Sequence, residues 1–216
     1  MPNQGVMGGF YRVSEWVMRL AYINILWIFF SIIGLVIFGV MPATVAMFTV
    51  IRKWLMGEED VHITKLFFKT YKKEFIKVNL LGLIIFAIGY ILYIDLQFLS
   101  QVSGMLQYIL TAGLIIIGFF FLIMVIYIIP VYVHYDLKVL QYLRHSILIG
   151  FLSPLMTIMM IATLSVIYYL FMFIPGLIPV FGASAFGFIT MGSAYFAFKR
   201  LETKQQKVEE AKEVAQ

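Results

Sequence analysis

Long apolar stretches separated by short basic ones set the rhythm of this chain. Leu20–Ile51 carries no charged residue, and residues 78–137 and 146–198 hold no Lys or Arg. Between the first two, Pro42–Lys77 gathers seven of the sixteen Lys and Arg residues. Crossing a hydrocarbon core takes about 20 apolar residues, and several runs reach that length. The pattern predicts an all-α, polytopic bundle of transmembrane helices.

Leu20–Ile51 is too long for one straight span and short for two full ones. Gly39 and Pro42 lie inside it, and proline disfavours helical geometry in the residue before it. A helix is therefore expected from about Tyr11 to Phe38, then a tight apex at Gly39–Pro42. A short second helix should run to Met56, with Gly39, Pro42 and Thr44 as the candidate apex residues. Arg52 and Lys53 would snorkel to the interface beside Trp54, and Gly57 suits a C-cap.

Val61–Lys77 predicts an amphipathic helix. At 100° per residue, Ile63, Phe67, Tyr71 and Phe75 share one stripe, while Lys65, Lys69, Lys73 and Lys77 share another, with Lys72 beside them. Such a helix lies in the membrane interface with its aromatic face down, or docks on a partner. It leads straight into a span at Val78–Phe98. Ile109–Ile129 predicts the next span. His134–Gly150 predicts a second amphipathic segment, with Leu137, Leu140, Ile147 and Leu148 on its apolar side. Pro154–Ile174 and Phe181–Phe198 complete the spans. Residues 1–198 thus form one transmembrane domain, and 199–216 form a charged cytoplasmic tail.

Orientation follows from charge. With six crossings and both termini inside, all sixteen Lys and Arg residues lie on the cytoplasmic side, as the positive-inside rule requires. If the first two helices are one kinked span, five cross and Arg12 and Arg19 fall outside. Six crossings are preferred, with five as the alternative.

Composition narrows the chemistry. Charged residues make up 12% of the chain, against about a quarter in soluble proteins. The net charge of +5 belongs to membrane flanks and anionic headgroups rather than to a nucleic-acid footprint. Zero cysteines remove thiol chemistry and disulfides. His62, His134 and His145 have no partner at ligand spacing, so no metal and no cofactor are expected. No nucleophile motif, Walker motif or phosphate loop is present, and an enzyme is not expected.

Polar residues near the spans are few. Asp95 falls near the outer interface, and Asn24 and Asn79 suit hydrogen bonds between helices. Gly182, Ala183, Gly187 and Gly192 suggest a close-packed face on the last helix. Tyr168, Tyr169 and Trp27 could stack on a sugar ring.

Residues 34–59, GLVIFGVMPATVAMFTVIRKWLMGEE, and 67–79, FFKTYKKEFIKVN, resemble the YesL family of bacterial integral membrane proteins. Gly39, Pro42, Ala43, Thr44, Arg52, Lys53, Trp54, Gly57 and Glu58 match its pattern. The likeness runs from Gly8 to about Phe198. The family has no established activity to carry over. The resemblance implies a setting beside carbohydrate uptake systems of the ABC type and glycan-degrading enzymes in Gram-positive bacteria. The expected function is that of an accessory or regulatory membrane protein. Its basic cytoplasmic face, Lys65, Lys69, Lys72, Lys73 and Lys77 with Phe67, Tyr71 and Phe75, would dock membrane lipids and a partner. That partner would be a carbohydrate ABC-transporter subunit or a sensor kinase. An autonomous small-solute permease is the alternative.

Overall fold

A computed structural model describes residues 6–214. The first five residues and the last two, which the sequence assigns to the lead and the tail, lie outside the described residues. Seven α-helices follow one another: α1 (Val6–Ile33), α2 (Val40–Leu55), α3 (Ile63–Leu99), α4 (Met105–His134), α5 (Val139–Leu152), α6 (Pro154–Phe173) and α7 (Ile178–Val214). A 3-10 turn, Pro175–Leu177, joins α6 to α7. No strand occurs among the described residues. Among the described residues, five helices are long and apolar enough to cross a bilayer. The chain is an all-α membrane protein.

The sixth expected crossing falls short. Helix α2 has 16 residues, about 24 Å at 1.5 Å per residue, less than the roughly 30 Å of a hydrocarbon core. It is instead the centre of the bundle. Ala43, Val45, Ala46, Met47, Val50 and Ile51 are all buried, and α1, α3, α4 and α7 pack around it. Nor are α1 and α2 one kinked span. Trp27 Nε1 donates to Thr44 Oγ1 at 3.0 Å, and Trp16 meets Trp54 edge-on at 5.7 Å. These pairs run in opposite senses along the two helices, so the helices form an antiparallel hairpin.

The apex is not at Gly39–Pro42 but at residues 34–39. Pro42 lies in the first turn of α2 and is buried. Its missing N–H is harmless there, because first-turn N–H groups have no intrahelical acceptor. The reversal is made by Leu35 (φ 57°) and Val36 (φ 62°), two left-handed residues in succession. Closure depends on Gly34 and Gly39. A Cβ on Gly34 would collide with the Gly39 backbone, and one on Gly39 would collide with the Ser31 carbonyl. At the other end of α2, Gly57 takes φ 89° and its N–H donates to the Trp54 carbonyl at 3.0 Å, the expected left-handed cap.

Helix α3 is continuous over 37 residues, about 55 Å. Its first half is not laid on the membrane with the aromatics facing lipid. Phe67 and Tyr71 are buried in protein, and both rings pack against Phe30 of α1 at 5.2 and 5.0 Å. An aromatic stripe fits a protein groove as well as it fits acyl chains, and α1 and α2 supply the groove. On α5 the buried face is Tyr142, Ser146, Ile149 and Gly150, whereas Leu140 and Leu148 are exposed. The difference arises because Gly150 admits Ile123 and Tyr127 of α4 at close range.

Helix α7 packs along α6 and meets three further helices in turn. Ser184 faces Asn24 of α1, Gly187 faces Met47, Phe48 and Ile51 of α2, and Phe198 stacks on His134 of α4 at 4.5 Å. Ser184, Gly187, Met191, Ala194 and Phe198 are all buried, a three-four spacing that keeps one face inward. Gly39→Ala should destabilise the detergent-solubilised protein by about 1–3 kcal/mol, the range for overpacked sites. Gly192→Ala, where a Cβ meets nothing within 4 Å, should leave the thermal midpoint unchanged. Thermal unfolding of the two variants in one detergent checks both.

Candidate functional site: the charged face

Charged and titratable side chains from seven segments collect at one end of the molecule. Arg19 of α1 bonds Glu15 at 2.6 Å and Glu59 of the α2–α3 loop at 3.2 Å. Its guanidinium also lies 5.5 Å from the Trp16 ring centre. Arg52 of α2 donates from Nε to His134 Nδ1 at 3.3 Å, and His134 Nε2 lies 3.3 Å from Glu202 of α7. With Nδ1 accepting, the ring proton belongs on Nε2, pointing at the Glu202 carboxylate. One relay therefore ties α2, α4 and α7 at the same end.

A second cluster surrounds Lys77. Its ammonium lies 5.3 Å from the ring centres of both Tyr132 and Tyr142, 3.3 Å from the Tyr142 hydroxyl and 3.7 Å from Asp136. Tyr132 donates to Glu74 at 2.6 Å. The buried Tyr142 hydroxyl accepts from the Leu137 N–H at 3.0 Å and donates to the Tyr135 carbonyl at 3.3 Å. A cation between two aromatic faces is held by the ring quadrupoles as well as by the carboxylates. Lys77 is thus a structural tie between α3 and the α4–α5 turn.

The other lysines of α3 behave differently. Lys65, Lys69, Lys72 and Lys73 are exposed, and among the described residues only Lys73 of the four has an acidic neighbour, Glu74 at 3.4 Å. Phe67 and Tyr71 are buried, and Phe75 packs against the core. The helix is anchored by its aromatic face, so the four ammonium groups stand as a fixed ridge. His62 lies at the start of α3, and His145 Nδ1 is 2.9 Å from the Gln141 carbonyl of its own helix. The three histidines occupy three separate places.

Residues 20–96 match the family described as "Protein of unknown function, DUF624". The chain is 39% identical over 202 residues to the uncharacterized protein YteU of Bacillus subtilis (strain 168), covering 94% of this chain and 90% of that one. It is 39% identical to YesV over 92% of this chain and 96% of that one. It is 37% identical to YesL over 94% and 95%, both from the same organism. The chain belongs to the YesL-like DUF624 family. No solved structure matches it.

The matched segment of this family member contains the hairpin, the lysine ridge and most of α3. Of the small residues singled out on α7, Gly187 makes the close approach, where a Cβ would sit 2.9 Å from Met47 Cε. Gly182 and Ala183 line a groove with Asn24 and Trp27, and Gly192 approaches nothing within 4 Å. Thr44 is no apex residue: it bonds Trp27 and its own Val40 carbonyl. Asn24 donates to the Pro179 carbonyl and accepts from the Ser184 N–H, while Asn79 donates to the Phe38 carbonyl. Both asparagines join helices. Sequence reasoning missed the Arg52–His134–Glu202 relay and the Lys77 cage. A carboxylate at Glu74 amid lysines was the one local sign, since the other partners lie tens of residues away.

Tyr142→Phe removes the acceptor of the half-buried Leu137 N–H, a loss of about 1 kcal/mol. The variant should unfold at a lower temperature in detergent, whereas Lys72→Gln on the open ridge should not. Parallel melting curves check the difference.

Proposed function

We propose that this YesL-like protein is an integral membrane accessory protein of the cell membrane that docks a partner through its charged end. The observation that carries this reading is the ridge of Lys65, Lys69, Lys72 and Lys73. These four exposed cations stand on a helix whose opposite face is locked into the core. Exposed basic charge attracts anionic headgroups and acidic protein surfaces, and steers association. Lys77 is left out of the docking set because its charge is already shared with Asp136 and two tyrosine rings. By the positive-inside rule the ridge faces the cytoplasm. Glu202 pairs with His134 at that same end, which supports a cytoplasmic start of the tail.

The resemblance that points to carbohydrate uptake makes a transporter subunit of the ABC type or a sensor kinase the partner to test. The same evidence argues against a solute path. An interhelical groove of about 690 Å³ between α2, α3 and α4 is lined mainly by Met41, Leu83, Phe86, Val125 and Ile129. Its Asn79 amide already donates to the Phe38 and Phe75 carbonyls.

Replacing Lys65, Lys69, Lys72 and Lys73 together by Glu should abolish lysine-directed cross-linking to the partner in native membranes. It should also weaken complex recovery at least tenfold, about 1.4 kcal/mol, while the melting curve stays in place. Unchanged recovery of the complex would end the docking reading.

A further inference from the structure

Helices α1 and α3 run side by side in the same direction, and three hydrogen bonds fix their register. Tyr22 and Thr64 share a hydroxyl hydrogen bond at 2.6 Å. Tyr71 donates to the Phe30 carbonyl at 3.1 Å, and Asn79 donates to the Phe38 carbonyl at 3.0 Å. The tip of the α1–α2 hairpin therefore lies level with Asn79, two residues beyond Lys77.

Helix α3 continues from there to Leu99, about 30 Å further at 1.5 Å per residue. That distance is the thickness of a hydrocarbon core. Even at a tilt of about 40°, the upper end of the usual range, some 23 Å still separate the tip from the far end of α3. Beyond Leu81, α3 buries no residue, and α4 buries none before Ile123. Those two bare halves are apolar lengths of candidate spans that reach past the level of the tip. The hairpin packs on the basic half instead.

The tip has the chemistry of a lipid contact. Leu35, Val36, Ile37 and Phe38 are all exposed, Ile37 at 79%. Four consecutive large apolar side chains are poorly suited to an aqueous loop. Most of the tip backbone is prepared for a medium without water, in which every free N–H is costly. The N–H groups of Gly34, Leu35, Val36, Ile37, Gly39 and Val40 donate to carbonyls within the hairpin, and that of Phe38 does not. The Phe30 and Phe38 carbonyls accept from Tyr71 and Asn79 of α3.

We propose that the α1–α2 hairpin is re-entrant: its tip, Leu35–Phe38, inserts among the acyl chains of the cytoplasmic leaflet and returns without crossing. The occupant of this exposed surface is lipid. The lysines beside the hairpin suit the anionic headgroups of that same leaflet. Both ends of the hairpin then stay on the cytoplasmic side, as Arg19–Glu59 and Arg52–His134 require.

The chain contains no cysteine, so single thiols report cleanly. Ile37→Cys and Phe38→Cys are compared with Ser103→Cys in the α3–α4 loop, each in the full chain in membrane vesicles. Ser103→Cys should react with a membrane-impermeant maleimide from one side. The tip thiols should react at least about tenfold more slowly from either side, because an apolar setting keeps the thiol protonated. A nitroxide on Ile37→Cys should collide more with oxygen, which concentrates in lipid, than with a water-soluble nickel chelate. Tip labelling from the Ser103 side at the Ser103 rate would mean that the hairpin crosses. Equal labelling from the opposite side would put the tip in water. A nitroxide shielded from both reagents would put protein there instead. Each of those three results overturns the proposal.

Discussion

Every other element depends on the burial of α2. In lipid, helices gain little from leaving the solvent, and close packing must hold them together. Helix α2 provides that packing on all sides. Ala43 and Ala46 let neighbours approach, Met47 and Ile51 receive the bare backbone of Gly187, and Val50 and Trp54 close the lower end. Gly34 and Gly39 matter for the same reason, since they let the chain reverse tightly enough for α1 to lie along α2.

Around that helix the polar side chains of the apolar segments act as fasteners. Asn24 joins α1 to α7, Asn79 and Tyr71 join α3 to the hairpin, and Tyr127 shares a hydrogen bond with Thr157 of α6. Interhelical hydrogen bonds in membranes contribute on the order of 0.6 kcal/mol each, so none holds the bundle alone. Their larger effect is to fix register, which depends on direction more than on strength. The register they set puts the lysine ridge beside the hairpin rather than below it.

The molecule is consequently two-ended. One end concentrates Arg19, Arg52, His134, Glu202, Lys77 and Asp136 in paired networks, with the four open lysines beside them. The other end is the bare apolar pair formed by the outer halves of α3 and α4, where the exposed Asp95 is the one charge. Lys77 is enclosed by rings and a carboxylate whereas Lys72 is exposed, so the two lysines differ in their surroundings. That distinction turns on where Tyr132 and Tyr142 stand.

The sequence alone determined that this is an all-α membrane protein. Run length and charge placement are local properties, and the bilayer reads them directly. It also established the family, the left-handed Gly57 cap, and the roles of Asn24 and Asn79 as links between helices. The tertiary structure alone decided which face of each helix meets protein. Phe67 and Tyr71 form the same stripe whether they face lipid or α1, and only the neighbour's position distinguishes the two. Pro42 looks the same in a turn and in the first turn of a helix, so the apex moved to Leu35 and Val36. The sequence set the short length of α2, but its place at the centre, the cage around Lys77 and the depth of the hairpin tip all came from register. Register is a relation between distant segments, and no local pattern encodes it.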